Sequence, residues 1–360
     1  MPQSNHKSIG VIGLGIIGRG VTGHLRRNGY PVYVWNRSPR PVPNFVGSPA
    51  ELAQLCRYIQ IFVSDDEALL QTVESLAEVL APEHVVMAHS TVAPDSMRAA
   101  SEMVERRGAH FVEAPFTGSK GAAEKGELVY YAGGAKTAVE KARPVLQASS
   151  KKIIEIGAIG QASAIKIATN MITAATIQAA AEALAVVQAF NVPFEKFAEA
   201  MRNNASYSAT LEMKLPKMIG RDFSPHFAVK HMLKDMQIAN QIGLSNYLDL
   251  GVTAAARDQL LEQTYWGRGD EDYSAVARKY LHELAPDVNE EPEAAQAAAD
   301  LSPAITDSEA SEVEAQSATL PASSPLPDAA PAVASASAEA PLLRRGLWKQ
   351  LLSRFSSGKE

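Results

Sequence analysis

The sequence predicts an α/β domain with a doubly wound, largely parallel sheet, then an all-α domain joined to it through one long helix, and finally a disordered C-terminal tail. Three observations lead to this fold class. Short β-branched runs alternate with helical patterns up to residue 157, an Ala-rich helical pattern covers 161–190, and the composition changes to Ala, Pro and Ser after residue 285. Strands that alternate with helices of this length indicate a parallel sheet covered on both faces.

The first domain, 1–160, begins with an apolar strand at 8–13 and a helix at 16–29, which Asn28 and Gly29 end. Further strands are predicted at 30–36, 58–64, 84–90, 110–115, 128–134 and 151–157. Helices are predicted between several of these strands, near 67–80, 95–107 and 137–147.

The second domain, 161–285, begins with the helix at 161–190, which is about 45 Å long at roughly 1.5 Å per residue. A helix of this length contributes to both domains. The rest of the second domain is predicted to be helical, with turns at Pro193, Pro216, Pro225 and near Gly267.

The segment between the first strand and the first helix fits the pattern G-x-G-x-x-G. Here Gly13 permits a tight turn, Gly15 lets a pyrophosphate approach the backbone, and Gly18 lets the helix pack closely on the sheet. This context predicts a Rossmann domain that binds a nicotinamide dinucleotide, and a tight turn without a ligand is the alternative. The cofactor-binding residues predicted in this loop are Gly13, Leu14, Gly15, Ile16, Ile17 and Gly18.

The end of the second strand predicts which dinucleotide binds. NAD sites usually place Asp or Glu here, whereas this chain has Asn36, followed by Arg37, Ser38 and Arg40. A neutral side chain beside guanidinium groups suits the 2′-phosphate of NADP, which needs bidentate donors. The sequence therefore favours NADPH. The alternative is that both arginines lie in a solvated loop and the preference is mixed.

Three further loops, at 63–65, 90–92 and 115–120, follow strands and are expected to converge at one edge of the sheet. Ligands of such sheets bind beyond the carboxyl ends of the strands, so we expect Val63, Ser64 and Thr91 to line the nicotinamide half of the site. Each of these residues also suits a strand end or a helix cap. His89, close to Thr91, is a further candidate for a position near the cofactor.

Lys166 and Asn170 are four residues apart in the long helix and therefore share one face. The neighbouring residues Ile165, Ile167 and Ala168 are apolar. A partly buried ammonium group among apolar neighbours can be tuned towards neutrality and used as a general acid or base. A lysine that merely extends from the helix surface into solvent is the alternative.

Several motifs follow one another in the chain: GLGIIG (13–18), WNRS (35–38), FVSDD (62–66), HSTVAP (89–94), FVEAPFTGSKGAAEKGEL (111–128), the helix with Lys166 and Asn170, AEA (181–183), FAVKHMLKDMQIA (227–239) and DYSAV (272–276). In this order the chain resembles the β-hydroxyacid dehydrogenases, the group that contains the 3-hydroxyisobutyrate and 6-phosphogluconate dehydrogenases. It resembles the glyoxylate/succinic semialdehyde reductase branch in particular. The resemblance covers roughly residues 8–282.

The resemblance implies that Lys166 is the catalytic acid or base and that Asn170 orients the substrate. It implies that the segment Thr117-Gly118-Ser119 binds the substrate carboxylate through hydroxyl and backbone N–H groups. Lys234 would reach the cofactor and the substrate from the helical domain, and Asp235 would orient Lys234 or the neighbouring helices.

Phe227 and His231 are expected to line or pack the site rather than to perform chemistry. The chain departs from the family pattern at Thr117, where the family usually has Ser, and after Lys120, where Gly-Ala-Ala replaces a segment that commonly contains proline. The added methyl group of Thr117 could narrow the pocket or shift the preferred chain length of the substrate.

The reaction that the resemblance implies is reduction of small carboxylated aldehydes or 2-oxo acids by NADPH, with Lys166 as general acid. The alternatives are an NAD(P)-dependent 3-hydroxyacid dehydrogenase of the 3-hydroxyisobutyrate type working oxidatively and, in another class, a non-catalytic cofactor-binding scaffold. The sequence offers no His and carboxylate cluster spaced for a metal, so we expect none. The family implies a homodimer or tetramer.

Composition bears on the compartment and on partners. The net charge of −6 argues against a general nucleic-acid binder. The single cysteine, Cys56, rules out an internal disulfide framework and favours a reducing compartment. The sequence has no run of 18 apolar residues and no signal-peptide layout, so we expect a cytoplasmic protein without a membrane-spanning helix.

The C-terminal part of the chain divides into two segments. Residues 286–341 contain eleven acidic residues and no Lys, Arg or aromatic residue, which predicts a disordered acidic linker. Residues 342–360 are basic, with Leu343, Leu347 and Leu351 at helical spacing. This pattern predicts an amphipathic helix that docks a protein partner or a membrane surface. The alternatives are a helix that packs against the two folded domains and a terminal segment that binds no partner.

Overall fold

The computed structural model describes residues 8–281, and an eight-stranded sheet forms the first part of this range. Its strands are β1 (Ile9–Ile12), β2 (Val32–Trp35), β3 (Tyr58–Ile61), β4 (Val85–Ala88), β5 (His110–Glu113), β6 (Phe116–Thr117), β7 (Leu128–Gly133) and β8 (Ser150–Gly157). The strand order is β2-β1-β3-β4-β5-β7-β6, and β8 pairs with β7. Only the pairs β5–β7 and β6–β7 are antiparallel among the described strands, which confirms the largely parallel sheet.

Six helices accompany these strands: α1 (Ile16–Arg27), α2 (Pro49–Leu55), α3 (Asp66–Ala77), α4 (Pro94–Glu105), α5 (Lys120–Lys125) and α6 (Lys136–Gln147). They bury both faces of the sheet. Helices α1, α5 and α6 cover the core that contains Val11, and helices α2, α3 and α4 cover the core that contains Ile12. Adjacent residues of one strand thus point into different cores, and the doubly wound arrangement is confirmed.

The second part of the described chain is helical. It consists of α7 (Gln161–Ala189), α8 (Phe194–Arg202), α9 (Ala209–Ile219), α10 (Val229–Ser245), α11 (Gly251–Tyr265) and a 3₁₀ helix (Tyr273–Lys279). The long helix α7 contacts β7 and β8 of the sheet and also α9, α10 and α11. One helix therefore contributes to both parts, as predicted.

By length and composition, α7 is apolar enough to cross a membrane, with a hydropathy of 1.3 over its most apolar window. The sequence analysis expected no membrane-spanning helix because the chain has no 18 consecutive apolar residues. In α7, polar residues such as Lys166 and Asn170 interrupt the apolar sequence, although its mean hydropathy is high. Core helices of water-soluble folds pass the same test, and Ile177, Ala181 and Leu184 of α7 are buried in the core of the helical part.

The structure corrects two details of the sequence prediction. Pro216 was expected at a turn but lies inside α9, where Leu215 and Met218 on either side are buried. A proline removes one backbone donor, and here the packing of its neighbours outweighs that loss. The short elements β6 and α5 were not predicted, because two and six residues are too few to show a period.

The predicted linker at 286–341 and the predicted terminal helix at 342–360 lie outside the described residues.

Candidate active site

Two adjoining cavities lie beyond the carboxyl ends of the central strands. The first has a volume of about 470 Å³ and extends from the glycine loop to α10, and the second has about 440 Å³ and extends from the same loop to the end of β2. Gly15, Phe62, Val63 and Ser64 line both cavities. A continuous cleft of this kind matches a dinucleotide whose two halves lie on either side of its pyrophosphate.

The glycine loop has the geometry of a phosphate cradle. Gly13 has a φ of +94°, and a Cβ atom there would lie 2.0 Å from the carbonyl oxygen of Phe62. A Cβ atom at Gly18 would lie 2.0 Å from the carbonyl oxygen of Gly13. At Gly15, by contrast, a Cβ atom would meet no atom within 4 Å. The open space at the N-terminus of α1 therefore fits a pyrophosphate.

The second cavity holds the residues predicted to select the cofactor. Asn36, Arg37, Ser38 and Arg40 all line it. Asn36 Oδ1 accepts a hydrogen bond from the backbone N–H of Leu14 at 2.9 Å, and Asn36 Nδ2 donates to the carbonyl oxygen of Ser38 at 2.8 Å. Asn36 thus fastens the glycine loop to the end of β2. The side chains of the two arginines are exposed and face the cavity.

A polar network joins α7 to α10 beside the first cavity. Lys166 Nζ donates to Asn170 Oδ1 at 3.0 Å, and Asn170 Nδ2 donates to Asp235 Oδ2 at 2.6 Å. Lys234 Nζ lies 2.8 Å from Asp235 Oδ1 and donates to the carbonyl oxygen of Thr91. Lys234, Asp235 and Thr91 line the cavity. Lys166 and Asn170 do not line it, and the hydrogen bond from Asn170 to Asp235 connects them to its lining.

The electrostatics of this network favour proton donation. Burial lowers the pKa of Lys166, the charge of Asp235 opposes this by raising it, and the charge of Lys234 lowers it further. The Asp235 carboxylate is fully buried. A lysine with a lowered pKa releases its proton more readily near neutral pH than an ordinary surface lysine does.

The start of α7 is held by Glu113, which the sequence analysis did not single out. Its buried carboxylate accepts from the backbone N–H groups of Ala162 and Ser163, at 3.0 and 3.1 Å, and from Ser163 Oγ at 2.6 Å. These are free N–H groups of the first turn, three and four residues before Lys166. The one available signal was an acidic residue at the end of an otherwise apolar strand.

A second residue that sequence reasoning missed is Asp272, which organises the segment around Phe227. Its carboxylate accepts from the backbone N–H groups of His226 and Phe227, at 2.9 and 3.2 Å, and from Lys214 Nζ at 2.7 Å. Both members of the Lys214–Asp272 ion pair are buried. Because His226 and Phe227 line the first cavity, this pair determines where one wall of the cleft lies.

His89 lines the first cavity, and its position near the cofactor stays a prediction. Its ring stacks on Phe62 with centroids 4.4 Å apart, and Nδ1 donates to the carbonyl oxygen of Ala114 at 2.8 Å. Burial lowers its pKa to about 4. The imidazole is therefore neutral at physiological pH.

The predicted carboxylate-binding segment lies apart from these cavities. Thr117 and Gly118 are exposed, and Ser119 Oγ caps α5 by accepting from the backbone N–H of Ala122 at 3.3 Å. The preceding residue, Phe116, lines the first cavity. The segment thus borders the cleft without lining it, and its role in binding stays a prediction.

Two family models match the chain in sequence. Residues 8–157 match the NAD binding domain of 6-phosphogluconate dehydrogenase, and residues 160–280 match a domain described as the NAD-binding domain of NADP-dependent 3-hydroxyisobutyrate dehydrogenase. Together the matches cover nearly the whole described range. The boundary between them falls between β8 and α7.

Curated relatives show the same likeness. The chain is 30% identical over 278 residues to glyoxylate/succinic semialdehyde reductase 1 of Arabidopsis thaliana. The aligned region covers 74% of this chain and 96% of that protein. It is also 28% identical over 286 residues to the cytokine-like nuclear factor N-PAC of Homo sapiens. This aligned region covers 77% of this chain and 52% of that protein. The chain thus spans about half the length of the N-PAC relatives.

Solved structures share the fold. A 3-hydroxyisobutyrate dehydrogenase of Mycobacterium tuberculosis with L-serine has a TM-score of 0.70 at 21% identity and covers 77% of this chain and 100% of its own. A 3-hydroxyisobutyrate dehydrogenase of Salmonella typhimurium has a TM-score of 0.70 at 23% identity and covers 76% of this chain and 100% of its own.

Proposed function

The chain belongs to the β-hydroxyacid dehydrogenase family of NAD(P)-dependent oxidoreductases, and from this premise we propose that it reduces small carboxylated aldehydes or 2-oxo acids with NADPH. The observation that carries the proposal is the network from Lys166 through Asn170 and Asp235 to Lys234. The network ends at a cavity that the glycine loop also lines.

Each residue of the network has a proposed role. When bound, the reduced nicotinamide supplies the hydride that the carbonyl carbon accepts. Lys166 Nζ donates a proton to the carbonyl oxygen as negative charge develops on it, and a proton from solvent restores the ammonium group. Asn170 holds Lys166 through its Oδ1, and Asp235 holds Asn170, so the ammonium group is oriented before the substrate binds.

The substrate class follows from the relative glyoxylate/succinic semialdehyde reductase 1 and from the charges at the site. We assign carboxylate binding to the segment Thr117-Gly118-Ser119, which borders the cleft at Phe116, together with Lys234. Thr117 keeps the hydroxyl group that this role needs.

NADPH is the proposed cofactor because Arg37 and Arg40 line the cavity at the end of β2, where a 2′-phosphate would lie. No carboxylate lines that cavity among the described residues, so none is available there to accept from a ribose 2′-hydroxyl. The adenosine half of the site thus favours the phosphorylated dinucleotide.

The match of residues 160–280 to an NADP-dependent 3-hydroxyisobutyrate dehydrogenase domain favours a second candidate, oxidation of a 3-hydroxyacid by the same residues. In that direction Lys166 would accept the proton of the hydroxyl group. The two candidates differ in the preferred direction and substrate of one reaction, so rates measured both ways on both substrate classes separate them.

We further propose a cytoplasmic homodimer or tetramer that associates through its helical part. Ile172, Phe190, Leu244 and Tyr247 on or beside α7 and α10 are large apolar side chains with at least 70% of their surface exposed. Such a surface is typical of a subunit contact. Light scattering on the full chain measures the assembly size, and a monomer at micromolar concentration would contradict this.

The test of the function is turnover of glyoxylate and succinic semialdehyde with NADPH and with NADH. We expect both substrates to be reduced, and we expect Lys166→Ala to lose most of the turnover while it still binds NADPH. Lys196→Ala, an exposed lysine of α8, is the matched control and should turn over normally. Consumption of neither cofactor across a panel of carbonyl compounds would favour the scaffold instead.

A further inference from the structure

The two walls of the first cavity carry different groups. One wall is the glycine loop, Gly15 to Gly18, with the N-terminus of α1. The other wall is the segment from Pro225 to Asp235, which includes the first turns of α10. A pyrophosphate held by the glycine loop would therefore lie in a cavity that α10 also lines.

Lys230 and Lys234 are the lysines that line this cavity in the described range. Lys234 is the lysine assigned above to the substrate carboxylate, and its Nζ lies 2.8 Å from the buried carboxylate of Asp235 and donates to the carbonyl oxygen of Thr91. Lys230 lies one helical turn before Lys234 and on the same face of α10. Lys230 is the lysine of this cavity to which the proposed function assigns no role.

Lys230 has a partner that it can release. Its Nζ lies 2.5 Å from Asp270 Oδ1, and these side chains are 52% and 87% exposed. An exposed ion pair in water contributes little to stability, so the structure does not depend on this contact. Asp270 itself lines the cavity, so its carboxylate occupies the position at Lys230 that a bound anion would take.

The backbone beneath Lys230 is held in place. The backbone N–H of Lys230 donates to the carbonyl oxygen of Gly269 at 3.0 Å. The backbone N–H of Val229 donates to the carbonyl oxygen of Glu271 at 2.8 Å. Asp272 holds the preceding residues His226 and Phe227. The long side chain can therefore move from Asp270 to a ligand while its helix stays in position.

We propose that Lys230 binds the pyrophosphate of the dinucleotide from the side opposite the glycine loop, and that Asp270 competes with the pyrophosphate for it. This inference rests on the proposed function, because it requires that the chain bind a nicotinamide dinucleotide in this cleft. It assigns to the helical part a direct share in cofactor affinity beyond that of Lys234.

The two members of the ion pair give opposite predictions. Lys230→Gln removes the cation and should weaken NADPH binding about fivefold, which is the scale of one exposed charge contact. Asp270→Asn removes the competitor and should tighten NADPH binding about twofold. An ion pair that served only to stabilise the fold would make both variants change in the same direction.

The experiment is an isothermal titration calorimetry measurement on each full-length variant. Each variant is titrated with NADPH and, separately, with adenosine 2′-monophosphate. The mononucleotide lacks the pyrophosphate, so its affinity should be the same in all variants and also reports that the adenosine half is folded. Lys196→Gln is the control for loss of an exposed lysine outside the cleft.

The inference is overturned if Lys230→Gln leaves NADPH affinity unchanged, or if both variants weaken it. It is also overturned if Lys230→Gln lowers only kcat/KM for succinic semialdehyde relative to glyoxylate, since Lys230 would then bind the distal substrate carboxylate. Wild-type protein that binds no NADPH would refute the proposed function as well, so the two failures are distinguishable.

Discussion

Asn170 Nδ2 lies 2.6 Å from Asp235 Oδ2, and this hydrogen bond joins the helix that carries Lys166 to the helix that carries Lys234. Asn170 also accepts from Lys166 Nζ through its other amide atom. The amide group of Asn170 thus links the proposed proton donor to a buried carboxylate that lies 65 residues after Asn170 in the chain. The pKa of Lys166 consequently depends on charges of a different helix.

The first prediction concerns the pH dependence of turnover. The charge of Asp235 raises the pKa of Lys166 and the charge of Lys234 lowers it. Reduction needs protonated Lys166, so the rate should fall as pH rises through that pKa. In Asp235→Asn this falling limb should move to lower pH, and in Lys234→Met it should move to higher pH. The measurement is kcat against pH under saturating cofactor and substrate. Limbs that move in the same direction in both variants would contradict the assignment.

The second prediction concerns the start of α7. Glu113→Ala leaves the N–H groups of Ala162 and Ser163 without their acceptor in a buried position. The free energy of unfolding should fall by about 2 to 3 kcal/mol, and turnover should fall as well because Lys166 is on the next turn. Ser163→Ala removes only the hydroxyl donor and should cost less. Denaturant unfolding of both variants checks this order, and equal losses would contradict it.

The third prediction concerns cofactor choice. Arg37→Ala combined with Arg40→Ala should lower kcat/KM with NADPH about tenfold or more and leave kcat/KM with NADH nearly unchanged, because NADH has no 2′-phosphate to lose contact with. Arg57→Ala, at an exposed arginine that bonds the carbonyl oxygen of Glu83, is a suitable control. A parallel loss with both cofactors would indicate a structural role of the two arginines.

The fourth prediction concerns acid stability. Burial lowers the pKa of His89 in the folded chain to about 4, against an ordinary value of 6.5. Between these values the unfolded chain binds the extra proton, so stability is complete above about pH 6.5 and is lost as pH falls towards 4. This group alone should account for a loss of about 3 kcal/mol.

Unfolding in denaturant at pH 7 and at pH 5 compares the wild-type chain with His89→Phe. Between these two pH values the contribution of His89 is about 2 kcal/mol. The phenylalanine keeps an aromatic ring beside Phe62 but does not titrate. The variant should therefore lose less stability between the two pH values. Identical losses in both proteins would show that other groups determine the acid sensitivity.

The sequence was sufficient for the parts of the fold that repeat over short distances. The alternation of strands and helices, the glycine loop between β1 and α1 and the length of α7 can be read within windows of about ten to thirty residues. The prediction of a turn at Pro216 was wrong because the outcome there depends on contacts between residues that are distant in the chain. Local propensity predicted a break, and packing of Leu215 and Met218 with distant residues kept the helix intact.

The residues of the candidate site likewise fall into those that the sequence predicted and those that it did not. The residues of the glycine loop, Lys166 and Asn170 could be proposed from spacing, because contacts along a helix or through a turn follow from the backbone itself. Glu113 and Asp272 could not, since a single acid in an apolar stretch shows no period that reveals its partner. Their partners lie about 50 residues away in the chain.

The sequence by itself determined the fold class, the glycine loop and the helix that carries Lys166. Only the tertiary structure decided that Asp235 holds Asn170, that Glu113 caps α7, and that Lys230 and the glycine loop line one cavity. The physical reason is that backbone geometry dictates neighbours three or four residues apart. Which distant side chains meet depends on how the sheet and the helices pack together.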